Sequence, residues 1–261
     1  MRIAVAATAP FGADVLERLT ARHEVVALLT RPDRPAGRGR SVRPPAAKVV
    51  AERLGIQVLQ PERPTGELDL GAETVVVCAY GLLIPESLLE LGLWLNVHPS
   101  LLPRWRGAAP VERALLAGDT ETGVTIHETV AELDAGPIAA QRSFPLTVED
   151  DAGSVFARSA ELAVELFDEV LPTPAFRPQE GEPTYAAKIG PEDRELDLSR
   201  PEESLNRIRA LSPHIGARAE LHGRRVTIWR ARLEGGELVP VEVQPEGKRT
   251  MSYDEFLRGL R

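Results

Sequence analysis

Three short runs constrain the fold of this chain more than anything else in it: Arg2–Ala7 (RIAVAA), Glu24–Thr30 (EVVALLT) and Thr74–Ala79 (TVVVCA). Each is apolar almost throughout, without the in-out alternation of a half-solvated strand, so each predicts a strand buried on both faces. Between the first two, Phe11–Ala21 places Val15, Leu16 and Leu19 on one side at helical spacing. Strand, helix and buried strand in that order predict a right-handed crossover, hence a mostly parallel, Rossmann-like α/β sheet covered by helices. The first turn, Ala7-Thr8-Ala9-Pro10-Phe11-Gly12, lacks the G-x-G-x-x-G pattern, which argues against a dinucleotide site.

The stretch Leu95–Pro110, LNVHPSLLPRWRGAAP, opens as a further strand. Residues two apart on a strand share a face, so Asn96 and His98 project together, and Pro99 ends the ladder. Open parallel sheets bind ligands at such strand ends. An amide donor beside an imidazole suits acyl transfer, the first steadying an oxyanion and the second moving protons. The residues alone leave a blander pair of readings open: an Asn that caps a turn and a buried, satisfied histidine.

Ser100–Pro110, SLLPRWRGAAP, resembles the signature of the formyltransferases that use 10-formyltetrahydrofolate, and most closely that of the methionyl-tRNA formyltransferases. That family carries a third functional residue in a D-x-G-x-I context, matched here by Asp134 in Leu133-Asp134-Ala135-Gly136-Pro137-Ile138. The resemblance implies Asn96, His98 and Asp134 as the catalytic set. Asn96 would donate to the oxyanion. His98 would stabilise that oxyanion as imidazolium and shuttle the amine's proton, and Asp134 would orient it and raise its pKa. It also implies a folate cleft walled by Leu82, Leu83, Ile84, Ser100, Leu101, Leu102 and Pro103, and the co-substrate 10-formyltetrahydrofolate with no metal.

Arg31–Pro45, RPDRPAGRGRSVRPP, holds four Pro and two Gly without periodicity and reads as a loop. Its PDRPAGRG resembles the loop that methionyl-tRNA formyltransferases insert to grip the acceptor stem, which implies tRNA contacts from Arg31, Arg34, Arg38 and Arg40. Charge permits this. The chain carries a net −8 overall, but Arg31–Arg43 has five Arg against one Asp, and residues 204–261 have 11 Lys/Arg against 7 Asp/Glu, a net of +4. Two rival functions stand beside the implied one: an N-formyltransferase for a nucleotide-linked amino sugar, and a non-catalytic tRNA- or folate-binding relative. The 31–45 loop and Ala108-Ala109 argue against the first, and the intact Asn96, His98 and Asp134 against the second.

The lone Cys78 excludes an internal disulfide, no Cys/His cluster has zinc spacing, and no apolar run reaches a membrane span. The short apolar start is read as a first strand rather than a signal peptide, so a cytoplasmic monomer is expected. The 261 residues suit one large and one small domain. Residues 1–171 are expected to form the formyltransferase domain and the Pro-rich 172–200 a linker. Residues 201–261 would form a C-terminal β domain that resembles the family's OB-like barrel, shortened by several strands.

Overall fold

The computed structural model describes residues 1–36, 41–171 and 173–260. In chain order the first elements are β1 (Arg2–Ala7), α1 (Pro10–Thr20), β2 (Glu24–Leu29), β3 (Arg34–Ala36), β4 (Ser41–Arg43), α2 (Ala46–Arg53) and β5 (Gln57–Leu59). Next come β6 (Thr74–Cys78), α3 (Glu86–Leu89), β7 (Leu93–His98), β8 (Arg106–Gly107), α4 (Pro110–Ala117), β9 (Glu121–Glu128), β10 (Ile138–Pro145) and α5 (Ala152–Val170). The rest of the chain supplies β11 (Tyr185–Ala186), α6 (Pro201–Leu211), β12 (Ala217–Leu221), β13 (Arg224–Glu234), β14 (Glu237–Pro245), β15 (Met251–Ser252) and α7 (Tyr253–Arg258).

The chain groups into two compact units, one of residues 1–106, 123–143 and 157–184, the other of 107–122, 144–156 and everything from 185 onward. Of the stretch expected as a linker, residues 173–184 therefore belong to the first unit and 185–200 to the second.

Among the described residues the first unit is built on a seven-stranded sheet in the order β10-β9-β7-β6-β1-β2-β5. β1 pairs in parallel with β2 and β6, β2 with β5, and β6 with β7, whereas β7 and β9 run antiparallel. The mostly parallel sheet read from the apolar runs is thus present. Its burial explains their composition: Ala4, Ala6, Val75 and Val77 pack with Leu88 and Trp94, while Ile3 and Val5, which alternate to the other face, are equally buried. Pro10 sits in the first turn of α1, where its missing N–H costs nothing.

The 31–45 stretch departs from the loop reading. Arg34–Ala36 and Ser41–Arg43 form an antiparallel ribbon with Arg34 opposite Arg43. Two strands of three residues pair through backbone alone, so no side-chain period announces them, and Pro35 is tolerated because such a ribbon is all edge. At its base Lys48 Nζ lies 2.9 Å from both Asp33 carboxylate oxygens, and Gln60 Nε2 donates to Asp33 Oδ1 (2.7 Å) and the Arg31 carbonyl (2.8 Å). Those bonds, from Gln60 and then Lys48, hold the Asp33 carboxyl below the usual carboxylate range. The Asp of PDRPAGRG is therefore an anchor for the arm.

The second unit contains an antiparallel four-stranded sheet, β12-β13-β14-β15, whose Val226, Ile228 and Val243 pack with Ile208, Leu211 and Phe256. Its two hairpins turn at His222-Gly223 and Gly235-Gly236, all four at positive φ, the backbone that two-residue hairpins require. This is the small C-terminal β domain expected.

Candidate active site

The order of strands explains where the site lies. From β1 the chain moves outward to β2 and β5 and then returns to β6 on the other side of β1, and ligands bind in the crevice outside strand ends at such a reversal. Because β6 and β7 are parallel neighbours, with Val77 opposite Asn96, the loops that follow them leave from one edge. β9 flanks β7 on the other side and sets Asn96 opposite His127 and His98 opposite Thr125.

Asn96, His98 and Asp134 meet there. The Asn96 amide nitrogen lies 3.3 Å from Asp134 Oδ1 and 3.0 Å from His127 Nε2. His127 Nδ1 is 2.8 Å from the Glu128 carbonyl, which can only accept, so Nδ1 carries the proton and Nε2 presents a lone pair to Asn96. That fixes the amide: its nitrogen faces the imidazole and the carboxylate. His98 Nε2 donates in the same way to the Trp105 carbonyl at 2.8 Å, and its Nδ1 faces Asp134 Oδ2 at 3.6 Å. The side chains of His98, His127 and Asp134 are all more than nine-tenths buried.

Burial is the largest influence on the pKa of His98. Loss of water pushes its pKa below the usual histidine value, more than the Asp134 carboxylate and the Trp105 carbonyl raise it, and His127 lowers it further. Asp134 does favour the charged form, as expected of a neighbouring carboxylate, but desolvation is the larger effect. Nε2 being committed to the Trp105 carbonyl, it is the Nδ1 edge of the ring that faces the carboxylate.

Two loops hold these groups. Asp134 and Trp105 both adopt left-handed backbone, at φ 49° and 66°, a conformation non-glycine residues keep only when their surroundings hold it. Gly136 is required by close approach: a Cβ there would fall on the Glu128 carbonyl oxygen. The Ser100–Arg104 loop is tied down by Thr125, whose hydroxyl donates to the Ser100 carbonyl (2.6 Å) and accepts from the Leu102 amide (3.2 Å). Gln141 adds a bond from Nε2 to the Leu102 carbonyl (2.9 Å).

The other residues singled out by sequence fall as follows. Leu82, Leu83 and Ile84 follow β6, and Ser100, Leu101, Leu102 and Pro103 follow β7, all at the same sheet edge. Leu83 is 81% exposed, whereas Ile84, Ser100 and Leu102 are buried. Arg34 stands exposed on β3 and Arg31 is half-buried beside the anchor; Arg38 and Arg40 lie outside the described residues. His127 was missed. Its signal would have been Thr125 and His127, two apart on one face of β9 with Val124 and Ile126 on the other, but only the pairing of β9 with β7 gives them meaning.

Comparison with known proteins identifies the family. The formyl transferase family pattern matches residues 1–171. Methionyl-tRNA formyltransferase of Cereibacter sphaeroides is 41% identical over 295 aligned residues, spanning 100% of this chain and 96% of its own. Two solved structures share the fold: the methionyl-tRNA formyltransferase of Clostridium thermocellum (TM-score 0.69, 18% identity, 94% of this chain and 98% of that one) and an N-formyltransferase of Helicobacter canadensis solved with folinic acid and dTDP-3-aminofucose (TM-score 0.67, 19% identity, 89% and 87%). A site-bearing sheet covered end to end by the family pattern, in a chain matched over its full length at that identity, means that the chain belongs to the formyl transferase family and stands within it among the methionyl-tRNA formyltransferases.

Proposed function

We propose that this chain transfers the formyl group of 10-formyltetrahydrofolate to the α-amino group of initiator methionyl-tRNA, using Asn96, His98 and Asp134. The convergence of those three side chains at the end of β7 carries the proposal. The amine nitrogen bonds to the formyl carbon, the tetrahedral intermediate bears an oxyanion, and the bond to N10 of the folate breaks. The proton released by the amine ends on N10. Asn96 donates to the oxyanion, giving up one of its two present partners. Neutral His98 takes the amine's proton and passes it on, and Asp134 stabilises the imidazolium formed in between. Production of formylmethionyl-tRNA from 10-formyltetrahydrofolate by the purified protein tests the function, and no product with a correctly charged initiator tRNA would refute it.

A pH dependence follows. A base held below its ordinary pKa stays neutral to lower pH, so the acid limb of kcat/KM assigned to His98 should lie below the ordinary value of 6.5. An acid limb above that value would show that Asp134, not burial, dominates.

The folate is assigned to the edge where Leu82–Ile84 and Ser100–Pro103 emerge, with exposed Leu83 offering apolar surface to it. The arm containing Arg31, Arg34, Arg38 and Arg40 is assigned to tRNA, since guanidinium forks suit phosphate and base edges. Removing Arg38 and Arg40 together should weaken tRNA binding and flatten its salt dependence by up to about 0.7–0.9 log unit for each phosphate no longer neutralised. Folate affinity should not change. Identical salt slopes for wild type and variant would reduce the arm to a solvated ribbon. By the same reading residues 1–171 carry the catalytic domain and 201–261 a shortened OB-like domain, in a cytoplasmic monomer. Among the described residues no helix is long and apolar enough to cross a membrane.

A further inference from the structure

Residues 173–184, a Pro-rich stretch with no regular helix, make an unusual set of bonds to both loops of the site. The Gln179 side chain uses its full hydrogen-bonding capacity. Its Nε2 donates to the carbonyls of Asp134 (2.7 Å) and Gly136 (2.9 Å), and its Oε1 accepts from Arg106 Nη2 (2.8 Å) and Nε (3.1 Å). The two ends of this amide cannot be exchanged, because carbonyls only accept and a guanidinium only donates. Arg106, 9% exposed, adds a contact from Nη1 to Glu132 Oε1 at 3.3 Å, on the same loop as Asp134. On either side of Gln179 the chain is stitched by backbone bonds. Arg177 exchanges both of its backbone groups with Ile138 (2.7 and 2.9 Å), and Thr184 N donates to the Pro103 carbonyl (3.2 Å) while its own carbonyl accepts from Arg106 N (2.8 Å). Thr184 Oγ1 accepts from Trp105 N at 2.9 Å.

These bonds meet at the two strained residues of the site. Asp134 and Trp105 are the left-handed positions; one supplies the carboxylate that faces His98, the other the carbonyl that accepts from it. The Asp134 carbonyl is held by Gln179 and the Trp105 amide by Thr184, from opposite ends of one six-residue segment.

We propose that residues 177–184 are a positioning strap for the reaction, with Gln179 as the positioning residue that sets the Asp134 carboxylate against His98 and Asn96. This rests on the assignment of Asp134 to formyl transfer. Gln179 itself touches no reacting atom. Without its bonds the substrates' binding surfaces should stay in place while the carboxylate drifts from the geometry the proton transfer needs, and a displacement of about 1 Å costs up to about 10²-fold in rate.

The test is steady-state formyl transfer by Gln179→Ala, Gln179→Glu and Asp134→Asn with 10-formyltetrahydrofolate and methionyl-tRNA, with thermal melting in parallel. Gln179→Ala should lower kcat about 10–100-fold with KM for either substrate little changed. Gln179→Glu separates positioning from folding, because its carboxylate keeps the Arg106 contact, as an ion pair, but sets an acceptor against two carbonyls. It should remain folded at the assay temperature, held by the ion pair, and still fall in kcat; if Gln179→Ala fails to fold, this variant decides. Wild-type kcat in a folded Gln179→Glu, or a lower melting temperature in Gln179→Ala with kcat intact, would overturn the strap while an inactive Asp134→Asn left the catalytic assignment standing. An active Asp134→Asn would overturn both.

Discussion

Replacing Asn96 by Ala should lower kcat about 10²–10³-fold, the usual loss when one oxyanion donor is removed from a buried site, while folate affinity changes little. The expectation comes from geometry. The amide is the neutral donor of the set, and its nitrogen is held at 3.0 Å from His127 Nε2 and 3.3 Å from Asp134 Oδ1. Its orientation is imposed by His127, whose own proton is committed to the Glu128 carbonyl. A fall confined to kcat fits an interaction made in the transition state; a rise in KM at constant kcat would instead mean that Asn96 binds ground-state substrate. Rates within a few-fold of wild type would remove Asn96 from the mechanism.

Gly136→Ala should be as damaging, by a different route. The added methyl would occupy the position of the Glu128 carbonyl oxygen, so either the end of β9 or the loop carrying Asp134 must move. Insertion of a methyl into packed backbone costs about 1–3 kcal/mol, and movement of the carboxylate should add a loss of about 10²-fold in kcat. Thermal melting and single-turnover kinetics on the same preparation check both. Wild-type values in both would mean that the Asp134 loop is more yielding than its contacts indicate.

Much of this was legible in the sequence because it rests on local pattern. The buried strands are apolar on both faces, and period two alone puts Asn96 and His98 side by side. Asp134 became legible through the resemblance of its motif. What stayed hidden depends on which strands pair. His127 matters because β9 lies antiparallel to β7 with Asn96 opposite it, and no local period encodes that register. The upward pull of Asp134 on the His98 pKa could be named from sequence, whereas the burial that outweighs it is a property of the folded packing. Gln179 lies in a Pro-rich run whose composition reads as a linker; composition reports the lack of regular structure, not where the backbone and amide bonds go. The β3–β4 ribbon escaped for the same reason.

The central claim, formyl transfer to methionyl-tRNA, is tested most directly by competition. Labelled 10-formyltetrahydrofolate would be offered to the protein with methionyl-tRNA and a nucleotide-linked amino sugar together, and label followed into each product at early times. The account predicts label in formylmethionyl-tRNA, with little in the sugar and none in either product for His98→Ala beyond the uncatalysed background. Label entering the sugar in preference to the tRNA would contradict it.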